Sequence, residues 1–69
     1  MTIHIYTIIL VKVADMVVGS FSTDTYHTEQ ATMVAARKHR DRWNASEGAA
    51  KYVPARLVRS TRQRQVKQL

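Results

Sequence analysis

The sequence predicts an α+β fold: a small ββαβ domain in which a three-stranded antiparallel sheet has one helix packed across it. Three observations carry that expectation. A β-branched run at the start meets a turn signal and then a second apolar run. A cluster of helix-capping residues precedes a long stretch without Gly or Pro. A second β-rich run follows Pro54.

Ile3 to Val13 is dense in Ile and Val with an aromatic among them, the composition that suits a pleated strand. Lys12 interrupts it and no basic flank precedes it, so neither a targeting segment nor a spanning helix of roughly 20 apolar residues is expected. Ala14-Asp15 reads as a two-residue turn into Met16–Phe21, with Asp supplying tolerance of the left-handed conformation. That register sets Val13 opposite Met16, Val11 opposite Val18 and Ile8 opposite Phe21. One face of the hairpin is then Ile3, Ile5, Ile9, Val11, Val13, Met16 and Val18; the other holds Tyr6, Ile8, Leu10, Val17 and Phe21, with His4 and Lys12 at its ends. Both faces are apolar, and one helix covers only one of them. A second copy in a homodimer, or another partner, is expected over the other.

Ser22-Thr23-Asp24-Thr25 supplies cap residues, so a helix is expected from Asp24 or Thr25 to about Asn44, with Ala31, Val34 and Ala35 as its sheet-facing stripe. Asn44–Lys51 reads as a loop. Tyr52–Ser60 reads as the third strand, with Pro54 at its start because Pro cannot donate to a ladder. Residues 1–60 are thus expected as a single domain and 61–69 as a basic C-terminal tail, frayed when unbound.

A chain of 69 residues holds one core, and a core so small is commonly completed by association. The absence of Cys excludes disulfides, thiolate zinc sites and thiol catalysis. His4, His27 and His39 show no ligand spacing, Asp24 serves as a cap, and no serine stands in a nucleophile elbow. A non-enzymatic protein without metal or cofactor is expected. Asn44-Ala45-Ser46 matches a glycosylation acceptor by chance.

Charge is the informative feature. Residues 1–36 hold one basic side chain, Lys12, against Asp15, Asp24 and Glu29; residues 37–69 hold ten against Asp41 and Glu47. Seven of the eleven basic residues are Arg, which forks onto carboxylates and phosphates and stacks on bases. The expected partner-binding set is Arg37, Arg40, Arg42, Arg56, Arg59 and Arg62, with Trp43 and Tyr52 as apolar anchors. Three readings stay open: docking on an acidic protein surface, sequence-tolerant binding to nucleic-acid phosphates, and a small structural homo-oligomer whose charge serves solubility.

A hairpin, a Thr/Asp-capped helix ending near Trp43, a Tyr52-Val53-Pro54-Ala55 approach to the last strand and arginines along that strand resemble the small phage-encoded inhibitors of bacterial RNA polymerase. The loop before Tyr52 is longer here, and Arg59 and Arg62 stand at different offsets from Ala55, so they are candidates on their own charge. The resemblance implies a cytoplasmic phage protein of host takeover that docks on and disables a nucleic-acid-processing complex. Small inhibitors of bacterial immunity complexes fall in the same class.

Overall fold

A computed structural model describes residues 2–46 and 48–67. The order is β1 (Thr2–Val13), β2 (Met16–Ser22), α1 (Thr23–Tyr26), α2 (Glu29–Ser46), a 3₁₀ turn (Gly48–Lys51) and β3 (Arg56–Val66). The three strands form one antiparallel sheet in the order β2-β1-β3, with α2 against one face. The α+β class is as expected. The molecule is drawn out, 49 Å long and 22 Å wide, because β1 and β3 run on together beyond the end of β2.

The hairpin differs from expectation in register. Val13 does face Met16, but a bulge at Val18 then sets Val11 opposite Gly19 and Ile9 opposite Phe21, with Ile8 facing Ser22. One extra residue on one strand moves everything after it to the other face. Phe21 therefore joins the helix side, where it packs with Met33, Trp43 and Leu57 around buried Ile9, Val11, Ala36 and Ala55. In the turn, Ala14 rather than Asp15 takes the positive φ, at 53°.

The expected single helix is two. Ser22 caps α1 by accepting from the Asp24 amide, and His27 ends it in the left-handed region at φ 71°. Thr28, outside the cluster Ser22–Thr25, then caps α2, its Oγ1 accepting from the Ala31 amide at 3.0 Å. The sheet-facing stripe is also corrected. Thr32 and Ala36 are buried, Met33 and Trp43 pack on the core, and Val34 is exposed. Thr32 suits that position because its hydroxyl donates to the Thr28 carbonyl at 2.7 Å, leaving a methyl for the core.

At Gly19 a side chain of α2 lies directly against the backbone of the sheet. A Cβ there would lie 2.8 Å from the His39 ring, which tilts over Phe21 and bonds through Nε2 to the Val18 carbonyl at 3.0 Å. Instead of an open loop after Asn44, α2 continues to Ser46 and the 3₁₀ turn follows. Asn44 reaches across to Ala55, accepting from its amide at 2.8 Å and donating to its carbonyl at 3.5 Å. This pins the approach to β3 against the end of α2. β3 itself does not stop at Ser60: it pairs with β1 through Val66, so residues 61–66 belong to the sheet, while residues 68–69 lie outside the described residues.

Candidate basic surface of the sheet

A strand sends alternate side chains to opposite faces, and β3 carries arginines on both parities. Arg56, Arg62 and Arg64 lie opposite Lys12, Tyr6 and His4 of β1, on the face away from α2. Arg59 lies opposite Ile9, on the helix side. There it forms an ion pair with Glu29 at the start of α2, which holds the Glu29 carboxyl below the usual carboxylate range and raises the guanidinium's own value. Arg59 thus ties β3 to α2.

The expected binding set does not form one surface. Arg37, Arg40 and Arg42 are on α2, where Arg40 bonds to its neighbour Asp41. Trp43 packs against the core instead of standing free as an anchor. Tyr52 is 86% exposed in the connector ahead of β3. Arg56 and Arg62 share the open sheet face.

That face has an organisation of its own. Half-buried Ile8, Leu10 and Val58 lie at its centre, with exposed Val17 beside them. Lys12 and Arg56 are at one end, where Arg56 also donates to the Ala14 carbonyl at 2.8 Å. Arg62 and Arg64 are at the other. Among the described residues no carboxylate pairs with Lys12, Arg56 or Arg62. The face thus sets these cations at both ends of an apolar centre.

At the Arg64 end sits a cluster that the sequence reading missed. Asp24 of α1 contacts His4 Nε2 at 2.6 Å through one oxygen and Arg64 at 3.0 Å through the other. His4 stacks on Tyr6 at 5.8 Å between ring centroids, and the Arg64 guanidinium lies 5.3 Å above the same ring. Hydrogen bonding from His4, followed by the charges of His4 and Arg64, lowers the Asp24 carboxyl below its ordinary range. Asp24 is not the cap expected of it: it stands in the first turn of α1, capped by Ser22, and its carboxylate staples that helix to a neighbouring pair on β1 and β3. Counting β3 by twos would have grouped Arg64 with Arg62 and set Arg59 apart. No local signal marked Asp24 as the neighbour of residues twenty and forty positions away.

Among the described residues no group of three His, Asp or Glu could hold a metal ion. A shallow hollow of about 220 Å³ is lined by Ile5, Thr61, Arg62 and Gln63, without a nucleophile–base pair in reach. No helix among them is long and apolar enough to cross a membrane. Comparison with protein-family models, with curated proteins and with solved structures gave no match.

Proposed function

We propose that this chain is a non-enzymatic binding protein that docks through the open face of its sheet on an acidic surface of a host nucleic-acid-processing complex in the cytoplasm. The supporting observation is the juxtaposition on that face of Ile8, Leu10 and Val58 with Lys12, Arg56 and Arg62, cations that no carboxylate among the described residues pairs with. A surface meant only for solubility has no need of an apolar centre, whereas a protein interface gains from a desolvated middle and a charged rim. The resemblance at Tyr52-Val53-Pro54-Ala55 makes bacterial RNA polymerase the first partner to try, and phage host takeover the setting.

Calorimetry with purified bacterial RNA polymerase, run beside short duplex and single-stranded oligonucleotides, tests the proposal. Saturable binding to the enzyme, with no oligonucleotide binding at low salt, is expected. Oligonucleotide binding that weakens steeply with salt would replace this reading with a phosphate-binding module.

A further inference from the structure

We propose that two copies of this chain join edge to edge through the first half of β1, with Ile3 opposite Ile5 of the second copy, fusing two three-stranded sheets into one of six strands.

β2 ends at Ser22, opposite Ile8, so β1 has no strand beside it on that side from Thr2 to Thr7. The Thr7 amide points to that side, because it donates to Thr23 Oγ1 at 3.1 Å. Backbone groups alternate sides along a strand, so Ile3 and Ile5 present their N–H and C=O groups in the same direction. Among the described residues no backbone group meets them. A bare edge is a template for another strand unless Lys, Pro, a bulge or a cover blocks it. Thr2-Ile3-His4-Ile5-Tyr6 contains no Lys, Arg, Asp, Glu or Pro, and the His4 side chain is already engaged by Asp24 and Tyr6. Ile3 and Ile5 are also 56% and 66% exposed.

A second copy fits this edge because the edge is complementary to itself. Antiparallel pairing with a two-fold axis at His4 sets Ile3 against Ile5 twice and satisfies all four N–H and C=O groups at once. It leaves Thr7 to its cap. The other edges are poorer templates: β3 carries Arg56, Arg59, Arg62 and Arg64, which would oppose like charges, and β2 is bulged at Val18. The cation of each copy nearest the seam on the open face, Arg64, is held by Asp24 of its own chain. The pairing leaves the open face uncovered, so it stands apart from the docking proposal, and it would place the Arg62 and Arg64 of both copies on one continuous surface.

Sedimentation of the full chain over a wide concentration range tests this, together with variants in a sequence that has no native Cys. The wild type is expected to move from monomer to dimer with concentration, and Ile5→Lys to stay monomeric with an unchanged circular dichroism spectrum. In the proposed register His4 faces its own copy in a non-hydrogen-bonded pair, with Cα atoms about 4.5 Å apart, within disulfide range. His4→Cys should therefore link into a dimer on mild oxidation, and Ile5→Cys should not. A wild type that is monomeric at every concentration overturns the proposal. So does the absence of the His4→Cys disulfide, whatever Ile5→Lys does.

Discussion

Ile9 and Ile5 are the same residue type on the same face of the same strand, yet Ile9 is fully buried and Ile5 is 66% exposed. The difference lies in what stands opposite them. At Ile9 the sheet is three strands wide and α2 lies over it, with Ala36, Met33 and Phe21 filling the space. At Ile5 the sheet has narrowed to β1 and β3, and Gln63 is the cross-strand neighbour. A β-branched alternation specifies a strand face, but whether that face becomes core depends on where the helix and the third strand end. The covered half supplies the folding energy. The ribbon half supplies exposed backbone and cations, and a two-stranded ribbon alone is marginal in water.

The largest expected contrast comes from truncating the two isoleucines. Ile9→Ala should lose about 3 kcal/mol in urea unfolding, enough to leave much of so small a domain unfolded, as cavity formation in a packed core does. Ile5→Ala, measured at concentrations low enough for the monomer, should cost no more than about 0.5 kcal/mol. Equal losses would erase the distinction between the halves. Next in size is Gly19→Ala. It forces a Cβ to within 2.8 Å of the His39 ring and should cost about 1–3 kcal/mol by overpacking. Combining it with His39→Ala should recover part of that loss, and strict additivity would show that the two residues do not meet.

Asn44→Ala removes both bonds to Ala55, leaving a backbone amide near the core unpaired, and should cost about 1–2 kcal/mol. Replacement of an exposed ribbon residue such as Gln65 should leave the midpoint unchanged. Smaller than the losses at Ile9, Gly19 and Asn44 is a pH dependence. Asp24 and Glu29 have lowered carboxyls in the folded chain, so their contribution is present above the ordinary carboxylate range and is lost as pH falls through the depressed values. Asp24→Asn should therefore shallow the acid limb of a plot of urea midpoint against pH. An unchanged limb would mean that the contact with His4 and Arg64 does not persist in solution.

Much of this was legible in advance, for identifiable reasons. β1, the hairpin, a helix after the cap cluster and a strand after Pro54 follow from β-branched runs, caps and the geometry of Pro. The bulge at Val18 was not anticipated, although Gly19 beside it is the kind of isolated strand glycine that marks one, and it alone moved Phe21 to the helix side. The buried stripe of α2 was hidden because Thr32 and His39 look polar, and their hydrogen bonds to Thr28 and Val18 are what admit them there. The far end of β3 reads as a polar tail, since Arg62-Gln63-Arg64-Gln65 lacks apolar alternation; pairing with Thr2–Tyr6 makes it a strand. The basic half was recognised by count, but its division between two faces follows from parity along β3.

The proposed docking gives the β3 arginines different roles on the two faces, and affinity for purified bacterial RNA polymerase, the proposed partner, tests that most directly. Arg62→Glu combined with Arg56→Glu should abolish binding with the fold intact, because both side chains belong to the open face. Arg59→Gln should bind like the wild type and unfold more readily, having lost Glu29. Loss of binding on replacing Arg59, with full binding by the Arg56 and Arg62 double variant, would contradict the account.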